Sequence, residues 1–149
     1  MSLDHEFRIV KTKSGDYSEF RNYINHPDNI RVHDDVFGYI YDTLLWIPVL
    51  YNNGSEGYGP DRFAISIIRR EGALIASRIF HGWIELFSAG PDKLNLVGDW
   101  CIDGETEDGS YEKLILDKMS IIEAFTKIKE MCQFVAENNN YYYLLHMGI

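Results

Sequence analysis

Cysteine is almost missing from this chain, with only Cys101 and Cys132 among 149 residues. So few thiols exclude a disulfide framework and any CxxC pair, and they point to a reducing, intracellular setting with both thiols free in the core. Long apolar runs are missing too. The longest, residues 44–51, contains Pro48 and is far too short to span a bilayer. The opening MSLDHEFRIV has no apolar segment of the kind a secretory signal carries, so the expectation is a cytoplasmic protein without a membrane role.

Basic residues are scarce: 14 Lys and Arg stand against 23 Asp and Glu, a net charge of -9. A chain without a basic stripe is a poor direct ligand for nucleic acid, because phosphate neutralisation supplies most of that affinity. Several catalytic signatures are also lacking. No GxSxG elbow and no GxxxxGK[ST] loop occurs, and His81 has no second histidine at the HExxH interval. On these grounds no cofactor is expected, and catalysis is not the first reading.

What the chain does have is apolar and aromatic substance. Hydrophobic residues make up 46% and aromatics 14%, enough for one domain of ordinary size over residues 1–149. Residues 6–12 alternate as a strand, with Phe7 and Ile9 on one face. A short helix is expected from Asp16, with Tyr17, Phe20 and Ile24 on one side, ending before His26-Pro27. A polar loop then leads to Asp34-Asp35, which suit a helix N-terminus beside His33. Phe37, Ile40, Leu44 and Ile47 continue that helix to Pro48.

Residues 51–60 (YNNGSEGYGP) read as a long loop and residues 62–69 as a central strand. Residues 71–87 fit a helix with Ile75, Ile79, Trp83 and Leu86 inward, stopped by a left-handed glycine cap at Gly90 before Pro91. Strands at 94–102 and 111–116 form a hairpin, with Trp100 and Ile102 tethering one arm and Leu114 and Leu116 the other. A final helix with Ile121, Phe125, Ile128, Cys132 and Val135 inward opens on a possible Ser120–Glu123 capping box, and residues 141–149 close the chain as a strand. The order implies an α+β sandwich: a mixed or antiparallel sheet of about five strands, with helices mainly on one face.

The most unusual stretch is residues 99–112, which holds Asp99, Asp103, Glu105, Glu107, Asp108 and Glu112 and no Lys or Arg. Like charges repel, so such a cluster suits solvent, a cation or a basic partner. Read as a calcium loop from Asp103, it puts Asp108 where glycine is required and Leu114 where a bidentate Glu belongs, which excludes an EF-hand. With Tyr111 inside it and surplus tyrosines around it, the segment reads as a docking surface for a basic protein. One concrete version is an immunity-type inhibitor that presents carboxylates to a nuclease toxin.

The alternative is a small enzyme or ligand-binding domain whose pocket gathers Tyr58, Arg69, Arg70, His81 and Glu85 near the 51–60 loop. A third use, oligomerisation through Tyr141–Tyr143 by an exposed strand edge or by side-chain packing, is also open. His5 and His26 sit in polar surroundings and are expected to face water, whereas His146 reads as a hydrogen-bonded core histidine. A Cys101 nucleophile is disfavoured, because neighbouring carboxylates raise a thiol's pKa.

Overall fold

The computed structural model describes residues 3–11, 17–102, 104–105, 108–138 and 141–149. Strand β1 (Asp4–Lys11) is followed by a 3₁₀ helix (Tyr17–Tyr23), β2 (Ile30–His33), α1 (Asp34–Leu44), β3 (Pro48–Tyr51), β4 (Glu56–Tyr58) and β5 (Ile65–Ile68). Then come α2 (Arg70–Ser88), β6 (Lys93–Ile102), β7 (Gly109–Asp117), α3 (Lys118–Glu137) and β8 (Tyr142–Met147). Six strands form one antiparallel sheet in the order β2-β1-β8-β5-β3-β4, and β6 with β7 forms a separate two-stranded ribbon. The α+β expectation holds, with one strand more in the main sheet and a second sheet beside it.

Strand alternation divides the sheet between two cores. Phe7, Ile68 and Leu144 pack with the helices, where Phe80 stands edge-on to both Phe7 and Phe125. Val10, Ile65, Ile67, Leu145 and Met147 face the other way and are covered by Phe20 and Tyr23 of the 3₁₀ helix. The three α-helices therefore share one face. Strand β8 lies between β1 and β5: Tyr142 and Tyr143 pair with Lys11 and Val10 of β1, the register with β5 covers Leu144 to Met147, and Tyr141 stands exposed before the strand.

Several local expectations are corrected. The polar stretch before Asp34 contains β2, paired to β1, and the 51–60 loop is mostly the β3–β4 hairpin, whose turn is eased by Gly54 at φ 85°. Ile24 is exposed rather than inward, and the cap expected at Asp16 lies outside the described residues. Helix α1 ends at Leu44, and Ile47 reaches the core from beyond it. On α2 the buried residues are Gly72, Ala73, Ala76, Phe80 and Phe87, while Ile75 and Leu86 are exposed. Small residues were overlooked there because the close approach of Gly72 to the Pro48 carbonyl selects size and not hydropathy: a Cβ would stand 2.5 Å from that oxygen.

Helix ends also differ. No left-handed glycine caps α2, whose C-cap Ala89 is right-handed at φ -75°. Helix α3 is capped by Asp117, whose Oδ2 accepts from Ser120 N (3.1 Å) and Ser120 Oγ (2.7 Å), not by a Ser120–Glu123 box. These two hydrogen bonds hold the Asp117 carboxyl below its ordinary range. At α1, His33 itself is the cap, its Nδ1 accepting from Asp35 N.

Candidate functional site

A hydrogen-bonded chain of four side chains crosses the helix-facing core. His5 Nε2 donates to Asp34 Oδ1 (2.8 Å), and Arg62 grips the same carboxylate through Nε (2.9 Å) and Nη2 (2.7 Å). With its Nε2 proton committed, neutral His5 accepts at Nδ1 from His146 Nε2 (2.9 Å). That leaves His146 Nδ1 as a buried lone pair without a partner.

Both imidazoles are fully buried, and the His5 ring stacks on Phe37 at 3.6 Å. Burial lowers the pKa of each; His146 falls well below the usual histidine value, while Asp34 partly offsets the effect at His5. The bidentate Arg62 contact holds the Asp34 carboxyl below its ordinary value and raises the guanidinium.

The expectation that His5 faces water is thus corrected, and Arg62 went unnoticed in the sequence. The available signal was period-two alternation, which puts His5 on the same face as Phe7 and Ile9. The chain of bonds ties β1, β8, α1 and the segment before β5 together. Its inner end stops in the core at His146, and its outer end reaches solvent at Arg62 and Asp34.

That outer end forms one wall of a polar cleft of about 340 Å³ beneath the β6–β7 ribbon. Asp35 and Tyr39 of α1 stand on the same side, and Asp99 and Glu112 of the ribbon face them. Two members of the acidic run therefore meet a half-buried ion pair from the main body. Gly98 permits this arrangement, because a Cβ there would lie 2.9 Å from the Glu112 Cβ where the ribbon register shifts between Val97 and Trp100.

The outward face of the ribbon is aromatic and apolar. Trp100 (54% exposed) stacks edge-on against Tyr111 (60% exposed) with ring centroids 4.9 Å apart. Val97, Ile102 and Ile115 extend the same exposed surface. Trp100 and Ile102 are therefore not tethers into the core. The register shift turns this end of β6 outward, and the ribbon continues beyond anything that covers it. Cys101 is exposed as well, contrary to the buried-thiol expectation, and donates to Glu112 Oε1 (3.2 Å), which raises its pKa. Cys132 is buried as expected, and desolvation pushes its thiol up to about 12.

Asp108 and Glu105 are exposed at the turn, while Asp103 and Glu107 lie outside the described residues. Among the described residues, no three His, Cys, Asp or Glu side chains gather as a metal site.

The residues of the alternative pocket are only partly brought together. Arg69 Nη2 meets Glu56 Oε1 (2.7 Å) in the β4 strand that also carries exposed Tyr58. Arg70 instead turns its Nε to the Ala136 carbonyl near the end of α3 (3.1 Å). His81 and Glu85 are exposed further along α2, with His81 about 16 Å from Arg70 at the helical rise per residue. They face no common cleft with Arg69 and the 51–60 hairpin.

In comparison with known proteins, no family model, curated protein or solved structure matches this chain. Among the described residues, no helix is long and apolar enough to cross a membrane.

Proposed function

We propose that the protein binds a basic partner protein through the β6–β7 ribbon and does so without catalysing a reaction. The observation that carries this reading is the exposed Trp100–Tyr111 pair, which with Val97, Ile102 and Ile115 forms a largely apolar exposed strip on the ribbon whose turn carries the exposed Glu105 and Asp108. Rigid aromatic side chains bury large area at small entropic cost and dominate binding hot spots. Carboxylates around them speed encounter with a cationic surface. A net charge of -9 adds long-range attraction of the same sign. In its most concrete form the partner is a nuclease toxin, whose phosphate-binding cleft the acidic ribbon covers in the cytoplasm.

Affinity capture from the native host's lysate tests the proposal at low and moderate salt. Three baits are compared: wild type, Trp100→Ala/Tyr111→Ala, and Asp103→Lys/Glu105→Lys/Glu107→Lys/Asp108→Lys. The expected result is a basic protein held by wild type alone, with nuclease activity that the wild-type chain suppresses. Equal capture by all three baits would take the ribbon out of the interface. A captured basic partner without nuclease activity would remove the toxin version and leave the docking face.

A further inference from the structure

A second concave surface lies away from the ribbon, where the C-terminal end of α1 meets the middle of α2. This groove encloses about 480 Å³, within the range that holds small organic ligands. Trp46, Trp83, Ile79 and Leu86 line it, and Arg78 supplies its one charged side chain.

Gly82 marks the groove as more than a packing remnant. A glycine inside a helix costs about 1 kcal/mol relative to alanine. Gly72 on the same helix is explained by the Pro48 carbonyl, but a Cβ on Gly82 would meet nothing within 4 Å. Packing therefore makes no demand for glycine at this position. What its missing side chain does is leave open a groove that Trp46 and Trp83 also line.

The walls are preorganised. Trp83 Nε1 donates to Thr43 Oγ1 (2.9 Å), whose hydroxyl donates to the Ile40 carbonyl (2.7 Å). The polar edge of that indole is thereby satisfied, and the ring packs against Phe87 and Tyr39. Trp46, which also lines the groove, is 63% exposed, an unusual position for so large an apolar surface. No hydrogen bond or ion pair ties the Arg78 guanidinium to another described residue. On a chain of net charge -9, this groove presents an apolar lining with a single positive charge.

We propose that the groove binds a small organic monoanion, with a flat apolar body between Trp46 and Trp83 over Gly82 and its acidic group on Arg78. Aromatic walls favour a flat body through offset or edge-on ring contacts. The guanidinium fork matches the oxygens of a carboxylate or sulfonate.

Titration with anilinonaphthalene sulfonate, an amphipathic aryl anion whose emission rises in apolar surroundings, tests the site, with uncharged phenylnaphthylamine as its neutral counterpart. The wild-type chain is expected to show one saturable site. Gly82→Leu fills the groove with a better helix former, so it is expected to keep the far-UV spectrum and to keep or raise the melting temperature while losing at least about tenfold in affinity for both probes. Trp46→Ala, at an exposed position, is expected to weaken both probes without affecting folding. Arg78→Gln is expected to weaken the sulfonate about three- to fivefold and leave the neutral probe unchanged. Absence of a saturable site, or wild-type affinity in both Gly82→Leu and Trp46→Ala, overturns the proposal. Equal sulfonate binding by Arg78→Gln overturns its anionic part.

Discussion

Acid is expected to loosen this protein at a pH where its carboxylates are still ionised, because the His5–His146 pair is neutral only while folded. Unfolded histidine titrates near 6.5, and burial lowers the folded value at both positions, most strongly at His146. With the folded pKa depressed, no stability is lost above the unfolded value. Below it, protons bind the unfolded chain first, and stability drains until the folded value is reached. An imidazole kept neutral throughout costs about 2 kcal/mol between pH 7 and pH 5, from linkage at about 1.4 kcal/mol per pH unit below the unfolded pKa.

His146 is expected to contribute nearly all of that amount, and His5 less, since Asp34 favours its charged form. Even the amount for one imidazole is a large share of a small domain's stability. The Asp34 contribution belongs to a lower window, because its depressed carboxyl pKa means loss only as pH falls below the ordinary value of 3.8. Urea unfolding followed by far-UV circular dichroism at half-unit pH steps reads the slope directly. In His146→Phe the slope between pH 7 and pH 5 is expected to shrink. That variant also loses about 1–3 kcal/mol at pH 7.5, because His5 Nδ1 is left without its donor. A wild-type stability that is flat from pH 7 to pH 5 would refute the neutral-pair reasoning.

Two glycines on one helix are expected to respond in opposite directions. Gly82→Ala should stabilise by up to about 1 kcal/mol, whereas Gly72→Ala should destabilise by about 1–3 kcal/mol through its clash with the Pro48 carbonyl; thermal melts of the two variants give the comparison, and matching shifts would contradict the packing. Arg62→Met leaves Asp34 partly buried beside His5 with its strongest partner gone, so a loss of about 2–4 kcal/mol is expected in urea unfolding. Cys101 should react with iodoacetamide at pH 8 more slowly than free cysteine despite its exposure, and Glu112→Gln should accelerate it by removing the carboxylate that raises its pKa. A rate insensitive to Glu112 would remove that contact.

The main periodic elements were legible without coordinates. The face of α3 was read residue for residue, from Ile121 to Val135, because apolar side chains at helical spacing had no competing demand on them. Helix α2 is legible in extent and only partly in orientation: Ile79 and Trp83 pack against the core as their spacing implies, whereas Ile75 and Leu86 do not. Its inward face combines Gly72, Ala73 and Ala76, where backbone closeness decides, with Phe80 and Phe87, while Ile75 and Leu86 line the Arg78 groove. The acidic run was visible as composition, but the turn of Trp100 to the outside came from a register shift that alternation alone does not announce.

By itself, then, the sequence determined the α+β class, the helix and strand alternation around the ribbon, and the acidic character of residues 99–112. Those properties are local: hydrophobic period, turn chemistry and charge act over a few neighbouring residues. Tertiary structure alone decided that His5, Asp34, Arg62 and His146, spread from one end of the chain to the other, would share a line of hydrogen bonds. It also set Asp99 and Glu112 across a cleft from that line and freed Trp100 and Tyr111 to face outward. The pairing of β1 with β8 brings His5 beside His146 across most of the chain's length, and no local pattern encodes a contact between residues so far apart.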